Sequence, residues 1–296
     1  MSAHSKLETQ HQGTEDLAIN NTPFRRLLTL LALKTTARLY RRHGDCVPIS
    51  PSLIVKSGRF VHLTEAATMQ FVAKNTSNIP VPKVWCSFVH KNRAYIVMER
   101  IQGKEFVVAW PDLPEPSRQR LLSQLRQMLQ ELRSLRPPSP GVVQSCVGGS
   151  LHDARITRAL PRFGPFKTIH EFHFWLRDST QIDKAETKPS NDHCDDQEWT
   201  DLKEMAARQD GPWPEGSVFT HADLNPCNVL LRGDEVVGII DWAFSGWYPH
   251  YWEYTSAWHG NALRPDWQAL LDRILERQPD EVIKMEKTRQ KWWGEI

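Results

Sequence analysis

The sequence predicts an α+β fold with a small, strand-rich N-terminal lobe and a larger, mainly helical C-terminal lobe that contains a β-hairpin. Short extended runs surround one helical segment over residues 46–98. After Gly103 the leucine spacing becomes that of an amphipathic helix, and two β-type runs over residues 229–240 flank a Gly-Asp turn. At 296 residues the chain is long enough for one two-lobed domain or for two domains.

Composition excludes several function classes. The formal charge of +2 is close to balance, so we expect no nucleic-acid partner. The apolar run Leu27–Leu33 is far shorter than the roughly 20 residues of a membrane span, so we expect no membrane partner. The five cysteines are scattered without CxxC spacing, and residues 1–21 do not resemble a secretory signal. These features predict a cytoplasmic protein, and they give no indication of its oligomeric state.

Residues 1–21 contain few apolar side chains and are predicted to form a disordered tail. The N-terminal lobe is predicted over residues 22–98. Its first helix starts at Thr22, a good N-cap that Pro23 follows, and runs to about Leu39. Apolar patterning and turn signals predict the remaining elements: strands Cys46–Ile49 and Leu53–Lys56, a helix over Thr64–Asn75, and a hairpin of Val84–Val89 with Ala94–Met98.

The C-terminal lobe is predicted over residues 99–296. Five apolar residues at alternating spacings of four and three predict an amphipathic helix over Ser117–Leu135. The rest of the lobe is assigned from composition and apolar patterning: a loop over 137–165, a helix over Phe166–Arg177, an exposed insertion over 178–197 and a mostly helical segment over 248–296.

The most informative segment joins a polar loop to the predicted hairpin of Val229–Leu231 and Val236–Ile240. A turn on Gly233 and Asp234 closes the hairpin in a register that places Asn228 opposite Ile239. Asn228 and Asp241 then lie at the same end, and Asp223 lies on the loop that leads into it. Two oxygen ligands beside a further carboxylate suit Mg²⁺, which fills its remaining positions with water and phosphate oxygens.

His221-Ala222-Asp223 followed by Asn228, and then Ile240-Asp241-Trp242, resembles the catalytic and metal-binding loops of the aminoglycoside phosphotransferase family. That family shares the protein-kinase-like fold with choline kinases. The resemblance covers about residues 45–260 and is closest to the fungal branch, most of whose members have no assigned acceptor. It implies transfer of the ATP γ-phosphoryl group to a hydroxyl or amine of a small molecule. Asp223 would be the base, Asn228 and Asp241 would bind Mg²⁺, and His221 would support the loop.

Upstream residues match the same family in order. Lys56 resembles the lysine that pairs with the α- and β-phosphates, and Glu65 resembles the glutamate that anchors that lysine. By the same resemblance Met98 lines the adenine pocket, and the backbones of Glu99 and Ile101 hydrogen-bond the base of ATP or GTP. The alternatives are structural. Lys56 would be a solvated lysine at a strand end, and Glu65 a residue that favours a helix N-terminus.

The acceptor is predicted to contact the segment after Asp241. An aromatic wall of Trp247, Tyr248, Tyr251 and Trp252 is one interpretation, with Glu253 pairing with a cationic amine. Burial of these aromatic residues in the core is the favoured alternative. The resemblance implies a small-molecule acceptor, such as an aminoglycoside or choline-like compound, and does not identify it.

Two departures from the sequence motifs of related kinases bear on the function class. Arg42–Cys46, where a glycine-rich phosphate loop is expected, contains a single glycine. This motivates the alternative of a catalytically inactive nucleotide-binding or interaction protein. The chain also lacks the Asp-Phe-Gly, Ala-Pro-Glu and His-Arg-Asp-Leu motifs, which argues against a protein kinase.

Overall fold

The computed structural model describes residues 10–156, 161–182 and 195–294, and it has the predicted α+β architecture. A four-stranded antiparallel sheet with the order β1-β2-β4-β3 forms the N-terminal lobe. Its strands are β1 (Cys46–Pro48), β2 (Leu53–Lys56), β3 (Val84–His90) and β4 (Arg93–Glu99). Its helices are α1 (Pro23–Lys34) and α2 (Leu63–Asn75). Within the described ranges no helix is both long and apolar enough to cross a membrane.

The C-terminal lobe contains two small sheets surrounded by helices. One sheet has the order β5-β7-β8 and the other pairs β6 with β9. The strands are β5 (Lys104–Glu105), β6 (Ser217–Thr220), β7 (Val229–Arg232), β8 (Glu235–Ile239) and β9 (Gly246–Pro249). The helices are α3 (Phe106–Ala109), α4 (Glu115–Arg133), α5 (Ile169–Leu176), α6 (Asp196–Asp210), α7 (Trp252–His259), α8 (Pro265–Ile274) and α9 (Asp280–Trp293).

The predicted elements of the N-terminal lobe are present, with changed ends. Thr22 caps α1 by accepting from the Arg25 N–H, and Pro23 is the first helical residue. The helix ends at Lys34, and a 3₁₀ turn over Thr36–Leu39 replaces its predicted last turn. The N-cap of α2 is His62, whose Nδ1 accepts from the Thr64 N–H at 3.1 Å, so the helix begins one residue before the predicted Thr64.

The prediction of a disordered tail over residues 1–21 is wrong for residues 10–21. The Ile19 N–H donates to Ser87 Oγ at 3.0 Å, and the Ser87 N–H donates to the Ile19 carbonyl at 2.9 Å. Ile19 is buried against β3 by these two bonds. Low hydrophobicity did not reveal this packing, because polar side chains also hold the segment: Gln10 donates to the Arg59 carbonyl, and Asn20 donates to the Trp85 carbonyl. Residues 1–9 lie outside the described part of the chain.

The predicted insertion over 178–197 is only partly described, because residues 183–194 lie outside the described ranges. Asp178–Gln181 are exposed, but Ile182 is buried in the C-terminal lobe. Asp195 begins α6 through a capping box with Glu198, so the last residues of the segment belong to a helix. The predicted helix over Phe166–Arg177 is shorter than expected because Thr168 caps it.

The hydrophobic core continues from one lobe to the other. One cluster contains residues of α2, β4, α4, β7, β8 and α8, while a second cluster lies between α5, α6, α7 and α9. The buried residues of α4 include four of the predicted apolar positions, Leu121, Leu125, Met128 and Leu132, together with Leu122 and Leu129. The boundary between lobes at residues 98 and 99 stays a prediction, since this shared core does not divide there.

The hairpin of β7 and β8 forms with a different register from the predicted one. Leu231 faces Val236, as predicted, but a bulge between Leu230 and Leu231 places Val229 opposite Ile239. The prediction that Asn228 faces Ile239 was therefore wrong. The Asn228 carbonyl instead accepts from the Ile240 N–H at 2.9 Å. Asn228 and Asp241 still lie at the same end of the hairpin.

Candidate active site

A tight loop between β6 and β7 carries the predicted base Asp223. Ala222 has a φ of +66°, a left-handed conformation that is unfavourable for alanine and is retained only where the surroundings hold it. The buried carboxylate of Glu253, on α7, accepts from the His221 N–H at 2.6 Å and from the Ala222 N–H at 3.1 Å. The prediction that Glu253 contacts a cationic acceptor was wrong. Glu253 is buried beneath the loop and holds its backbone.

His221 supports the same loop from its other side. Its Nδ1 accepts from the Asp223 N–H at 3.2 Å, and its Nε2 lies 3.0 Å from the Ile240 carbonyl, to which it donates. The ring packs edge-on against Trp242 with 4.6 Å between centroids. Burial lowers the pKa of His221, which favours the neutral ring that these bonds require. His221 thus links the loop to the end of β8.

Asp223 and Asn228 are in direct contact. Asn228 Nδ2 donates to the Asp223 carbonyl at 2.9 Å and to Asp223 Oδ2 at 3.0 Å. Partial burial raises the pKa of Asp223 to about 6, although the nearby guanidinium of Arg155 acts in the opposite direction. A carboxyl group with this pKa is ionised at neutral pH and can accept a proton from a substrate hydroxyl.

Asp241 follows β8 in a left-handed conformation, with a φ of +65°. Its Oδ1 lies 2.7 Å from Lys56 Nζ, which also lies 2.8 Å from Glu65 Oε1. Burial raises the pKa of Asp241, but the charge and hydrogen bond of Lys56 outweigh burial and lower it overall. Burial likewise lowers the pKa of Lys56, while Glu65 and Asp241 outweigh it and raise the pKa above the ordinary value. Lys56 thereby connects Glu65 of the N-terminal lobe to Asp241 of the C-terminal lobe.

The oxygen atoms at this point fit a magnesium ion. Asn228 donates through Nδ2, which leaves its Oδ1 as a possible ligand, and the Asp241 side chain is 44% exposed. Amide and carboxylate oxygens are the hard ligands that Mg²⁺ prefers. Among the described residues no cluster of three or more His, Cys, Asp or Glu side chains has metal-binding geometry. A magnesium ion held by two protein oxygens and by phosphates does not need such a cluster.

The predicted adenine-binding residues lie where β4 leaves the N-terminal sheet. Met98 is buried and pairs with Ile54 of β2. The Glu99 N–H donates to the Lys83 carbonyl at 2.9 Å, and its side chain is exposed. Ile101 packs on Gly238 of β8, where an added Cβ would come within 2.8 Å of Ile101 Cδ1. The segment that follows β4 therefore packs directly on the hairpin that carries the candidate metal ligands.

The segment expected above the phosphates is a tight turn closed by two backbone bonds between His43 and Cys46, each of 2.9 Å. Gly44 has a φ of +55°, which a side chain would disfavour. The Asp45 carboxylate lies over Gly58, and an added Cβ there would meet it at 2.2 Å. The single glycine of this segment is thus used for the turn.

The aromatic run after Asp241 is core, as the favoured alternative predicted. Trp247, Tyr248, Tyr251 and Trp252 are each at most 3% exposed. Tyr248 stacks on Trp252 at 5.4 Å with 2° between the rings, and Phe172 meets Trp252 edge-on. These side chains belong to the hydrophobic core that supports the site, and they do not form an exposed aromatic wall.

Arg155 is a site residue that the sequence did not predict. Its Nη2 donates to the Ala222 carbonyl at 2.5 Å and to Asp153 Oδ2 at 2.6 Å, and its Nε donates to Asp153 Oδ1 at 2.8 Å. The surrounding segment is rich in Pro, Gly and Arg and has no periodicity, so no local signal distinguishes this arginine. Only the fold brings residues 153–155 to the loop that carries Asp223.

Comparison with protein families gives one match. The model of the APH phosphotransferase enzyme family matches residues 61–289, which is more than half of the chain. The match includes Glu65, Asp223, Asn228 and Asp241, whereas Lys56 precedes it. No curated protein matches the chain in sequence.

Solved structures of aminoglycoside phosphotransferases are similar in fold. A thermostable mutant of APH(4)-Ia, in ternary complex with ADP and hygromycin B, has a TM-score of 0.57 and 14% identity over 84% of this chain and 82% of that chain. Another mutant of the same enzyme, in complex with AMP-PNP and hygromycin B, has a TM-score of 0.55 and 16% identity over 84% and 82%.

APH(3'')-Id from Streptomyces rimosus has a TM-score of 0.52 and 13% identity, and the match covers 93% of this chain and 100% of that chain. At such low identities these similarities establish the fold and no substrate. Together with the family model they confirm the predicted protein-kinase-like architecture. The chain belongs to the APH phosphotransferase enzyme family.

Proposed function

We propose that this protein is an ATP-dependent small-molecule kinase that transfers the γ-phosphoryl group of MgATP to a hydroxyl or amine. The observation that carries this proposal is the convergence of Lys56, Asp223, Asn228 and Asp241 at one end of the β7–β8 hairpin. Family membership supports it, as do nucleotide complexes of proteins with the same fold.

Asp223 is the proposed base. Its carboxylate would accept or orient the proton of the attacking hydroxyl, a role worth roughly 10²- to 10⁴-fold in rate. The Asn228 amide would hold Asp223 Oδ2 in place through the 3.0 Å bond. His221 and Glu253 would act on the loop backbone, so they are positioning residues in this proposal.

Asn228 Oδ1 and the Asp241 carboxylate are the proposed ligands of Mg²⁺, which would neutralise the charge of the β- and γ-phosphates. Lys56 would contact phosphate oxygens while Glu65 keeps its ammonium group in the cleft. Met98, Glu99 and Ile101 are the proposed adenine contacts. ATP and GTP have the same triphosphate group. The backbone of Glu99 and Ile101 would therefore select between the two bases.

The first test is thermal unfolding of the protein against rising MgATP. A ligand at about 100 times its Kd stabilises by about 2.7 kcal/mol, which raises the unfolding midpoint by several degrees for a chain of this size. We expect a rise that requires the metal, because the proposed site binds the nucleotide through Mg²⁺.

Two variants make this test specific. Asp241→Ala should lose the rise because it removes a proposed metal ligand. Glu235→Ala, in the same hairpin but at the end away from the site, should keep it. The absence of any rise with MgATP or MgGTP would contradict the proposal. The inactive nucleotide-binding alternative predicts a rise with no ADP release for any acceptor, so an ADP-release assay separates the two.

A further inference from the structure

A cavity of about 490 Å³ lies in the C-terminal lobe beside the loop that carries Asp223. Helices α7 and α9 form two of its walls, and the segment Asp153–Ile156 forms a third. Its volume is in the range of small-molecule sites, about 300–1,000 Å³. The cavity shares Arg155 with the catalytic loop, since this side chain lines it and donates to the Ala222 carbonyl.

Two buried ring nitrogens that line this cavity have no hydrogen-bond partner among the described residues, and a buried arginine lies beside them. Arg289 is 4% exposed, and its Nε donates to Glu286 Oε2 at 2.9 Å. Within the described ranges the indole Nε1 of Trp252 is buried without a partner, as is Nε2 of His259. Buried donors are normally satisfied, so an unsatisfied group of this kind points to a missing acceptor.

The carboxylates of the cavity are already neutralised. Asp153 is bound through both oxygens by Arg155, and Glu286 pairs with Arg289. Lys287 lines the same cavity and has no ion-pair partner among the residues that the structure describes, whereas Lys291 pairs with Glu198. The charge that remains is positive. Among the described lining residues a polycationic aminoglycoside would find no free carboxylate, whereas an anionic group would find a lysine, an arginine and an indole N–H.

We propose that this cavity binds the anionic group of the phosphoryl acceptor, so that the acceptor is a small hydroxylated acid. The assignment rests on the proposed kinase function, and it concerns the acceptor class alone. Arg289, Lys287 and the Trp252 indole N–H bind the anion, and a hydroxyl group of the same molecule extends past Arg155 toward Asp223. Arg155 therefore separates the binding end of the cavity from the reacting end.

The test compares hydroxylated carboxylates, neutral polyols and hydroxylated amines that are matched in carbon number. Each compound is added to the full-length protein with MgATP, and both ADP release and the unfolding midpoint are measured. We expect carboxylates to raise the midpoint and to stimulate ADP release. Lys287→Gln should raise the KM of the carboxylate acceptor roughly 3- to 10-fold, which is the scale of one typical hydrogen bond, since Lys287 is exposed to solvent. The KM of MgATP should not change.

Lys284→Gln is the matched control, because Lys284 lies on the same helix but pairs with Asp201 and Glu204 on α6. The double variant Glu286→Gln/Arg289→Gln removes the buried pair together, so that no lone charge remains, and should raise the acceptor KM roughly 10- to 100-fold. If it does not fold, Lys287→Gln still decides.

Two results would overturn the proposal. One is stimulation by amines or polyols in place of carboxylates. The other is the lack of any carboxylate whose midpoint shift depends on Lys287 or Arg289. In either case a MgATP shift that Asp241→Ala abolishes would leave the kinase proposal intact. Loss of the MgATP shift itself would instead refute the kinase function.

Discussion

At the scale of single residues, Asp223 has a carboxyl group whose surroundings disfavour its charge. Burial raises its pKa to about 6, while Arg155 and hydrogen bonds from Asn225 and Asn228 limit the shift. A folded-state pKa above the unfolded value of about 3.9 means that the native state binds the proton more tightly. As pH rises through that window the charge lowers the free energy of unfolding. The proposed base is therefore held at a cost in stability.

Asp223→Asn should abolish phosphoryl transfer while the protein keeps or gains stability at pH 7. The amide removes a charge that the folded state disfavours, and it keeps a similar size and an oxygen that can accept from Asn228. We expect a loss in kcat of roughly 10²- to 10⁴-fold. The MgATP-induced midpoint shift should remain, because Asn228 and Asp241 are unchanged. Turnover close to that of the unaltered enzyme would remove Asp223 from the role of base.

Glu253 shows why a residue type alone does not give its role. A glutamate beside aromatic residues fits the recognition of a cationic amine, and the sequence offers no reason against it. The fold turns this carboxylate inward, where it accepts two backbone N–H groups of the catalytic loop. Those N–H groups would be unsatisfied without it, which costs about 1–3 kcal/mol for each. The direction of the side chain is a tertiary property.

At the scale of elements, the hairpins were predicted well because their signals are local. Lys91 and Asn92 both have a positive φ in the turn between β3 and β4, as a tight hairpin turn requires. Gly233 provides the corresponding positive φ in the β7–β8 turn. The bulge between Leu230 and Leu231 of β7 has no equivalent local signal. The predicted register of the β7–β8 hairpin was therefore wrong at the end next to the candidate site.

Helix α5 contributes His173 to a buried network that should make stability depend on pH. His173 Nδ1 donates to the Gln209 carbonyl at 3.0 Å, and Nε2 accepts from the Tyr251 hydroxyl at 2.8 Å. Burial lowers the pKa of His173 to about 3, well below its unfolded value of about 6.5. The neutral ring therefore stabilises the fold above pH 6.5, and this contribution is lost as pH falls toward 3.

We expect the free energy of unfolding to fall as pH is lowered from 6.5, with His173 contributing about 1.4 kcal/mol per pH unit. His173→Gln should make the curve shallower, because glutamine can replace both bonds and does not titrate. Urea unfolding at several pH values measures this. His90→Gln, at the end of β3 and outside the network, is the control. An unchanged slope in His173→Gln would show that this network does not set the acid sensitivity.

At the scale of the whole molecule, Lys56 connects the two lobes. It lies on β2, and its ammonium group contacts Glu65 of α2 and Asp241 of the C-terminal lobe at 2.8 and 2.7 Å. Glu65 is 3% exposed, and its Oε2 has no hydrogen-bond partner in the described part of the chain. Lys56 is thus the charge that compensates for a buried carboxylate. The N-terminal sheet and the candidate metal ligand Asp241 share one ion-pair network.

Lys56→Met should destabilise the protein by about 3 kcal/mol at pH 7, because it leaves the Glu65 carboxylate buried without a counter-ion. Burial raises the pKa of Glu65, and without Lys56 nothing on β2 opposes that rise. The loss of stability should therefore be smaller at pH 5 than at pH 7, because a carboxyl group with a raised pKa takes up its proton more readily as pH falls. Chemical unfolding at both pH values measures this change.

The double variant Lys56→Met/Glu65→Gln serves as its control. It removes both charges, so we expect it to recover most of the stability at pH 7 without recovering catalysis. A single variant that is equally destabilised at both pH values would argue that lost packing around the lysine stem, rather than the unpaired charge, explains the effect.

The sequence by itself determined the fold class, most helices and strands, and the residues that meet at the candidate site. The helices and strands follow from local physics: apolar periodicity, caps and turn residues. The predicted hairpin brings Asp223, Asn228 and Asp241 together, whereas Lys56, Glu65 and the roles of these residues were implied by the family resemblance. The tertiary structure decided the contacts between residues that lie far apart in the sequence. It brought Arg155 to the catalytic loop and turned Glu253 inward, and it placed Arg289 and Lys287 around a cavity with unsatisfied donors. Burial and charge pairing depend on which segments meet, and no local pattern carries that information.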